Sequence, residues 1–427
     1  MTEDIKETSM NKIRYAVIGI KGVGKYHIHF AKIFNELELV AIVDNDSDYL
    51  ERKSKELGVL GFTNYQDLLN TDIIDAVSIA TPHHLHHPMG MDFIKNGIHV
   101  LIEKPLAIRL SEAEEMVNMA KEKKIKICVA HQYRTHRSSV ALKEIIDMGE
   151  IGKIMRILWT WTQYRSNAYY SKNHWRAKWK HSGGGLLMNQ ASHDIDLIQW
   201  LFGDPMEVTA LAGNQIHDNE LDDIACVNIL FKNGAFGNFQ FSINQPGIYN
   251  TRQVVGDKGM IVFNEVKSLV DDQDDPIQLG KFEDSVIRLS KKLEDHHYQP
   301  AVKWEKINLP RKNDDTFIKT LARRFDNVIL RRITRYKWSL QETNWLKRGK
   351  PIGHYALFHS FIDAIKNDKQ PIISGESSLK TIELINAIIM SAILHKSVTF
   401  PLDNDEFDEM FDNLCRGNTK IFKGPFV

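Results

Sequence analysis

A glycine-rich turn near the N-terminus has the residue types and spacing needed to hold a pyrophosphate. It directly follows a strand-like apolar run, precedes a helix-like segment and reads Gly19-Ile20-Lys21-Gly22-Val23-Gly24. Dinucleotide-binding folds hold phosphates at this place, through backbone N–H groups and a helix N-terminus. The match to G-x-G-x-x-G is imperfect, because Lys21 occupies the position of the second glycine. Read alone, the turn could also be purely structural.

Asp44 adds a second feature of a dinucleotide site. It ends the next strand-like run, about 20 residues beyond Gly24. A carboxylate there can bind both ribose hydroxyls and would repel a 2′-phosphate. No arginine adjoins Asp44-Asn45-Asp46. The pattern therefore predicts NAD as cofactor and favours it over NADP.

Two further motifs follow strand-like runs. Thr81 and Pro82 come after the run 73–80, and Glu103-Lys104-Pro105 comes after the run 99–102. Ligands of open α/β sheets bind at the carboxyl ends of the strands. We therefore expect Thr81 and Lys104 to face the same ligand.

Later in the chain, a third group of motifs combines tryptophan, glycine and polar residues. The segment 175–179 reads Trp-Arg-Ala-Lys-Trp, and 183–196 reads Gly-Gly-Gly-Leu-Leu-Met-Asn-Gln-Ala-Ser-His-Asp-Ile-Asp. Arg176 is either a surface cation or a ligand for a carboxylate or phosphate. Asn189 and His193 stand four residues apart, on one face of a helix. The glycines would let the backbone approach a substrate closely.

Histidines at positions 83, 84, 86 and 87 raise the question of a metal site. Zinc needs three or four ligands converging from defined elements, and four side chains of one short turn cannot all converge. The acidic run 271–275 lacks the glycine of an EF-hand loop and is typical of a solvated loop. We predict no metal site.

Alternating strand-like and helix-like segments in the first ~135 residues predict a parallel sheet with crossover helices. Runs at 13–18, 39–43, 73–80, 99–102 and 125–130 are predicted strands. Segments 47–57 and 111–124 are predicted helices, with Ser111 as the N-cap of the second. We assign residues 11–134 to a Rossmann dinucleotide-binding domain.

The second part of the chain, 135–427, is predicted to be an α+β domain with a mostly antiparallel open sheet, so that the whole chain is α/β. Segments 206–213, 223–231 and 235–243 are predicted strands, with Asn233-Gly234 as a hairpin turn between the last two. A strand pair is predicted within 254–263, and helices at 354–367 and 376–394. A charged insertion occupies 266–350.

Composition excludes several classes of protein. The 427 residues include 55 Lys+Arg and 55 Asp+Glu, so no chain-wide field attracts nucleic acid. With 43% hydrophobic residues the composition is that of a globular protein. Three distant cysteines form no disulfide framework, the N-terminus is unlike a signal peptide, and the apolar stretch 382–394 is too short to span a bilayer. A cytoplasmic protein without a transmembrane segment is expected.

These motifs together resemble the Gfo/Idh/MocA oxidoreductase family, named for glucose–fructose oxidoreductase and inositol dehydrogenase. The resemblance covers residues ~12–265 and ~353–400 and rests on the glycine turn, A-T-P-x-x-x-H, E-K-P and G-G-G-x-L-x-N-Q-x-x-H-x-x-D. The W-R-x-x-W form is most similar to members that oxidise the 3-position of sugars or nucleotide sugars. His86 matches the family histidine of the second motif and is expected either to be structural or to lie near the cofactor.

The resemblance implies roles for Lys104 and His193 in the oxidation of a secondary hydroxyl. Lys104 would contact the reacting hydroxyl, and His193 would act as acid and base. Histidine needs little tuning at neutral pH, whereas a lysine base needs its pKa lowered by burial or by a positive neighbour. We therefore expect His193 to be the base and Lys104 to orient the hydroxyl and join the proton relay. Inositol dehydrogenases carry Asp where this chain has Asn189, which cannot exchange protons and is expected to bind substrate or Lys104.

The sequence thus predicts an NAD-dependent dehydrogenase for a secondary hydroxyl of a sugar, polyol or nucleotide sugar. Two alternative functions remain open: a redox-neutral NAD-dependent glycosidase or epimerase, and a non-catalytic NAD-binding regulator. The resemblance implies a homodimer or homotetramer. The segment 318–350 contains ten Lys or Arg residues and only two acidic residues. This basic segment could bind an anionic partner or lie on the second domain as a solvated helix.

Overall fold

The computed structural model describes residues 12–170, 175–246, 248–267, 277–292, 298–307 and 352–424. Its first part is a six-stranded, fully parallel sheet with the order β3-β2-β1-β4-β5-β6. The strands are β1 Ile13–Ile18, β2 Leu37–Val43, β3 Leu60–Phe62, β4 Ala76–Ile79, β5 His99–Ile102 and β6 Ile127–Val129. The chain reverses its direction of travel across the sheet at β1, between β2 and β4, which is the switch point where such sheets bind ligands.

Crossover helices connect these strands, as the alternation of patterns predicted. They are α1 Gly24–Ile33, α2 Ser47–Leu57, α3 Tyr65–Leu69, α4 His86–Lys95 and α5 Leu110–Lys123. The prediction of Ser111 as an N-cap is wrong. The helix begins one residue earlier, Glu112 accepts a hydrogen bond from the backbone N–H of Arg109, and the Ser111 hydroxyl donates to Asp408 instead.

A ten-stranded, mixed and mostly antiparallel sheet forms the second part. Its order is β14-β13-β12-β11-β7-β10-β9-β8-β15, with β16 beside β8, and only the β7–β10 and β8–β16 pairs are parallel. The strands are β7 Ile154–Thr162, β8 Pro205–Asn214, β9 Ile224–Phe231, β10 Phe236–Ser242, β11 Ile248–Gly256, β12 Gly259–Lys267, β13 Ile277–Phe282, β14 Val302–Ile307, β15 Val398–Thr399 and β16 Phe422–Lys423.

The predicted hairpin at Asn233-Gly234 is confirmed. Strands β9 and β10 pair antiparallel on either side of it, and Gly234 has a φ of +86°, a conformation that glycine adopts without steric cost. The strand pair expected within 254–263 exists but is longer than predicted, because β11 and β12 extend well beyond both glycines.

The structure describes seven helices in the second part of the chain. They are α6 Arg137–Asp147, α7 Trp179–Ser182, α8 Ser192–Phe202, α9 Val286–Lys292, α10 Ile352–Lys366, α11 Gly375–Leu394 and α12 Asn404–Arg416. Helix α11 packs against β8, α8 and α5, and its Asn386 bonds the backbone of Ile108 and Leu110. Helix α11 therefore contacts elements of both sheets.

Helix α11 confirms the helix predicted at 376–394 and begins one residue earlier. At 20 residues it is, by length and composition, able to cross a membrane, but 72% of its apolar window is buried inside the protein. This burial is what a core helix requires.

Candidate active site

Four neighbouring parallel strands deliver the N-terminal site residues to one edge of the first sheet. Gly19 follows β1, Asp44 follows β2, Thr81 lies just past β4 and Lys104 just past β5. These strands are adjacent in the order β2-β1-β4-β5, so their carboxyl ends meet. The edge is the ligand-binding side of a doubly wound sheet.

The glycine turn is shaped by contacts that exclude side chains. Gly19 has a φ of +79°, and a Cβ on it would lie 2.6 Å from the carbonyl oxygen of Ala80. A Cβ on Gly24 would lie 1.8 Å from the oxygen of Gly19. Lys21 points away from this packing and pairs with Asp46 at 2.6 Å. The turn therefore tolerates a lysine at the second glycine position, and the N-terminus of α1, with its partial positive charge, lies beside it.

Asp44 is 8% exposed and is held by backbone N–H groups. Ile20 donates to one carboxylate oxygen at 3.2 Å and Asp46 donates to the other at 3.0 Å. Lys21 Nζ lies 3.7 Å from the same group. A fixed carboxylate at the end of β2, a glycine turn closed to side chains and a helix N-terminus fit a dinucleotide with two free ribose hydroxyls.

His86 links the two loops that follow β4 and β5. Its Nδ1 lies 2.6 Å from the oxygen of Pro105 and its Nε2 lies 3.0 Å from the oxygen of Thr81. The ring is fully buried, and the Lys104–Pro105 peptide is cis. With both nitrogens against backbone carbonyls, His86 holds the loops in place rather than reaching a cofactor, while Thr81 and Pro82 lie on the ligand edge.

The neighbouring histidines face separate partners. His83 Nδ1 contacts the oxygen of Ser182 at 2.7 Å, and His84 Nδ1 contacts that of His181 at 3.2 Å. His87 pairs with Glu115 at 2.8 Å. Two of them thus connect the β4 loop to α7, which belongs to the second part of the chain.

Lys104 reaches across from the first sheet to the second part of the chain. Its Nζ donates a hydrogen bond to the backbone oxygen of Asn189. Burial is the main cause that lowers the pKa of Lys104 to about 8; Glu103 opposes this shift, and the positive charges of Arg176 and Arg165 add to it. The expected contact between Lys104 and Asn189 therefore uses the main chain and leaves the Asn189 side chain available.

His193 lies in the first turn of α8, stacked on the ring of Tyr133 with centroids 4.4 Å apart. Burial, followed by the charges of Lys104 and His131, holds the pKa of His193 well below its ordinary value. Its Nδ1 is buried, as is the Asn189 amide nitrogen, and neither has a hydrogen-bond partner among the described residues. Buried polar atoms without partners are costly, and a bound substrate would satisfy them.

Glu103 belongs to a buried network that sequence reasoning missed. Its Oε1 lies 2.9 Å from Nε2 of His27 in α1 and 3.2 Å from Nε2 of His354 in α10. His27 Nδ1 lies 2.7 Å from the hydroxyl of Ser78, which also contacts Tyr15. Burial raises the pKa of Glu103, but hydrogen bonds from the two imidazoles outweigh it and hold that pKa well below the ordinary value.

The same three side chains have the donor set of a metal site. The candidate ligand atoms of His27, Glu103 and His354 all lie within 4.8 Å of one another. Direct hydrogen bonds already connect them, and burial lowers the pKa of His27, which favours its neutral form. A neutral ring that donates from Nε2 and accepts at Nδ1 satisfies every contact, so we interpret the cluster as a hydrogen-bonded network.

The glycine run packs closely against other parts of the protein, which gives these glycines a structural reason that the sequence did not reveal. A Cβ on Gly183 would lie 2.7 Å from Ile108, and one on Gly185 would lie 2.2 Å from the oxygen of Asp222. The Asp222 carboxylate accepts hydrogen bonds from the N–H groups of Gly185 and Leu187, both at 2.7 Å. This anchors the wide helical turn Leu186–Gln190 that presents Asn189.

Arg176 lies beside aromatic rings, and a second arginine near it was missed by sequence reasoning. The Arg176 guanidinium carbon is 4.3 Å from the ring centroid of Trp175 and 5.2 Å from that of Tyr169. Arg165, just beyond β7, lies 5.3 Å from the same Tyr169 ring. No motif marked Arg165, His27 or His354, because their contacts depend on chain segments far apart in sequence.

The acidic run 271–275 and the basic segment 318–350 lie outside the described residues. The predictions made for both remain predictions.

Comparisons with known proteins agree with this geometry. Residues 13–131 match the family model described as an oxidoreductase family with an NAD-binding Rossmann fold, and residues 139–262 match the GFO/IDH/MocA C-terminal domain. The chain is 28% identical over 276 residues to myo-inositol 2-dehydrogenase of Thermotoga maritima, covering 62% of this chain and 80% of the relative.

Two further similarities are informative. 2,7-Anhydro-N-acetylneuraminate hydratase of Escherichia coli is 26% identical over 260 residues, covering 58% of this chain and 67% of the relative. The WlbA dehydrogenase of Chromobacterium violaceum, solved with NADH and UDP-GlcNAcA, superimposes with a TM-score of 0.71 at 23% identity, over 92% of this chain and 98% of that one. At that identity the superposition shows the fold.

Proposed function

We propose that this chain, which belongs to the GFO/IDH/MocA family of NAD-binding oxidoreductases, oxidises a secondary hydroxyl of a sugar, polyol or nucleotide sugar. One observation carries the proposal. Lys104, from the cofactor-binding edge of the first sheet, donates to the backbone of Asn189 in the turn that leads into His193. Two groups able to handle a proton thus meet beside a dinucleotide site.

The pKa values support a different division of roles from the one the sequence suggested. A general base works best when its pKa lies near the working pH. Lys104, at about 8, meets that condition, whereas the pKa of His193 is held well below its ordinary value. We therefore propose Lys104 as the base for the hydroxyl proton and neutral His193 as a hydrogen-bonding partner of the substrate.

The glycine turn and Asp44 would hold NAD, which would supply the hydride acceptor for the oxidation. Lys104 in its neutral form takes the hydroxyl proton, while the Asn189 carbonyl fixes the position of Nζ. The Asn189 amide and His193 Nδ1, both buried and without partners among the described residues, orient the substrate hydroxyls. No step requires a metal ion.

Steady-state kinetics with NAD and a panel of polyols, hexoses, uronic acids and UDP-sugars tests this proposal. We expect NADH to form with at least one of them. Lys104→Ala and His193→Ala should lower kcat by ~10²-fold or more with NAD binding nearly intact, because the first removes the base and the second removes a group that orients the reacting substrate. Lys95→Ala, at an exposed lysine of α4, is the matched control. Full turnover by both active-site variants would contradict the proposal.

A redox-neutral reaction is the second candidate, and the similarity to a hydratase favours keeping it. Such an enzyme would convert substrate to product with NAD bound but without net NADH. Product analysis alongside NADH absorbance separates the two candidates. A chain that binds NAD and converts nothing would instead support a regulator.

We also propose a cytoplasmic homo-oligomer, for which the family resemblance is the support. An anionic partner of the segment 318–350 is proposed on its charge alone.

A further inference from the structure

Lys21 stands where the fingerprint of a dinucleotide site has its second glycine. That glycine ordinarily lets the backbone approach the pyrophosphate, so a side chain at this position begins beside the cofactor. The carbonyl of Lys21 accepts a hydrogen bond from the N–H of Gly24 at 2.9 Å, and the N–H of the preceding Ile20 donates to Asp44 at 3.2 Å. The lysine side chain therefore extends from a fixed part of the cofactor site.

The ammonium group of Lys21 contacts the two carboxylates that follow β2. Its Nζ lies 2.6 Å from Oδ2 of Asp46 and 3.7 Å from Oδ1 of Asp44. It also lies 5.4 Å from the ring centroid of Tyr49. Within the part of the chain that the structure describes, no other lysine or arginine forms an ion pair with either carboxylate. The three charged side chains together carry one negative charge, whereas the two carboxylates alone would carry two.

The two aspartates are held differently. Asp44 is buried, and each of its oxygens accepts a hydrogen bond from a backbone N–H, of Ile20 and of Asp46. Asp46 is the N-cap of α2, where its Oδ1 accepts from the N–H of Tyr49, and its Oδ2 faces Lys21. The side chains of Lys21 and Asp46 are 48% and 41% exposed. Ion pairs this exposed are weak, so Lys21 can readily leave Asp46 for a more highly charged partner.

A phosphate on the 2′-hydroxyl of the adenosine ribose distinguishes NADP from NAD. Since Asp44 is the group that would bind the ribose hydroxyls, this phosphate would enter beside Asp44 and close to Nζ of Lys21. Both carboxylates repel its charge of about −2, and the ammonium group attracts it. Lysine binds phosphate as a point charge, without the fixed geometry that an arginine needs. Lys21 and Asp46 thus act in opposite directions on the same phosphate.

We propose that Lys21 determines cofactor specificity and lets the enzyme bind NADP as a second cofactor beside the preferred NAD. Lys21 exchanges Asp46 for the 2′-phosphate when NADP binds, and it remains on Asp46 when NAD binds. Asp44 keeps NAD the better ligand, because two backbone N–H groups hold its carboxylate in place. The proposal rests on the cofactor site of the proposed function and does not depend on its substrate.

Fluorescence titration of the full chain with NADH and with NADPH tests the proposal without any substrate. The decisive quantity is the cofactor ratio, which is the dissociation constant of NADPH divided by that of NADH. Changes in the contacts common to both cofactors cancel in this ratio. We expect the wild-type protein to bind both cofactors, with a cofactor ratio above one.

Lys21→Met removes the ammonium group and keeps an unbranched side chain, and it should raise the cofactor ratio about 5-fold or more. Lys21→Arg keeps the charge and should leave the ratio close to that of the wild type. Asp46→Asn should lower the ratio, because it removes a negative charge while asparagine still caps α2. Lys32→Met, at an exposed lysine in the last turn of α1, is the matched control and should not change the ratio.

Salt distinguishes an effect of charge from an effect of shape. Near 1 M salt the screening length falls to about 3 Å, so exposed charges interact much less. The difference in cofactor ratio between Lys21→Met and the wild type should therefore shrink as salt is added. A difference that is the same at low and high salt would indicate a steric effect and overturn the proposal.

A cofactor ratio that Lys21→Met leaves unchanged would also overturn the proposal, as would a wild-type protein that binds NADH but not NADPH. Binding separates this outcome from the fate of the proposed function. If the ratio depends on Lys21 but no sugar or polyol is oxidised, the specificity role stands and the dehydrogenase assignment fails. If a sugar is oxidised with NAD and the ratio does not respond to Lys21→Met, the dehydrogenase assignment stands and the specificity role fails.

Discussion

Lys104 shows how one side chain acquires a useful pKa from its surroundings. Its partial burial and the nearby guanidiniums both disfavour the ammonium form, while Glu103 favours it, and the balance lowers the pKa to about 8. A lysine with its ordinary pKa near 10.4 would be almost fully protonated at neutral pH. The environment, not the residue type, makes Lys104 a candidate base.

This environment predicts a specific pH dependence. Because the base must be neutral to take a proton, kcat/KM should rise with pH through an apparent pKa of about 8. Arg165→Gln should move this rise to higher pH, since removing a neighbouring positive charge makes the ammonium form of Lys104 more stable. Profiles of both proteins over the same pH range, with a neutral substrate, measure the shift.

His193→Gln provides the comparison. It should lower the rate and keep the rise near the same pH, because Lys104 remains. A rise near pH 8 that survives in the residual activity of Lys104→Met would contradict the assignment of the base.

Elements of the two sheets meet at Glu103, and this junction determines where the loop carrying Lys104 lies. Helix α1 contributes His27 and helix α10 contributes His354, which also stacks on Tyr26 and Phe30 of α1. The loop after β5 is thus held from two directions. We infer that His354 is a positioning residue for Lys104.

His354→Ala should destabilise the protein by about 1–3 kcal/mol, because it leaves a buried carboxylate with one donor fewer. It should also lower kcat. His354→Gln, which can still donate a hydrogen bond, should recover part of both losses. If the losses came only from a packing defect, restoring a hydrogen-bond donor would not recover them. Denaturant unfolding and steady-state kinetics measure the two effects.

Metal analysis of the same purified samples checks the interpretation of this network. A stoichiometric metal in the wild-type protein that is lost in His354→Ala would identify the cluster of His27, Glu103 and His354 as a metal site. It would contradict the interpretation of the cluster as a hydrogen-bonded network.

Sequence patterns predicted the elements that follow local rules. The strand ends bearing Gly19, Asp44, Thr81 and Lys104 could be placed, because short apolar runs followed by polar residues obey the geometry of parallel sheets. The hairpin at Asn233-Gly234 follows from turn chemistry.

Features that depend on distant pairing could not be predicted in this way. Strand β7, Ile154–Thr162, lies centrally between β10 and β11, yet it was not among the predicted strands, although Gly149 and Gly152 precede it. His354 meets Glu103 across 251 positions of sequence. The glycines of 183–185 were assigned to substrate approach, because sequence alone does not show that Ile108 and Asp222 fill the space beside them.

At the scale of the whole molecule, one face of the ten-stranded sheet packs against α8 and α11, and the other, open face carries exposed side chains. Exposed apolar side chains lie along the open face at Leu211 and Phe236, and the half-buried Leu230 is directly paired with Phe236 across β9 and β10. Leu211 is 68% exposed and Phe236 is 65% exposed. Arg156 and Gln253 of β7 and β11 hydrogen-bond at 2.5 Å beside them. A broad, mixed surface of this kind is suited to pairing with a second copy, in which each patch meets its own equivalent.

We therefore expect the protein to be a dimer or larger assembly formed through this face, with a solution mass at least twice the 49.2 kDa of the chain. Leu211→Lys combined with Phe236→Lys should yield monomers, because each substitution occurs twice in a symmetric interface and brings like charges into an apolar contact. Leu60→Lys replaces a leucine that is 54% exposed on the edge strand β3. This control introduces a lysine at a different surface and should leave the solution mass unchanged. Light scattering after size exclusion measures all three proteins. An assembly that persists in the double variant would place the contact on a different surface. A monomeric wild-type protein would contradict the prediction of an assembly.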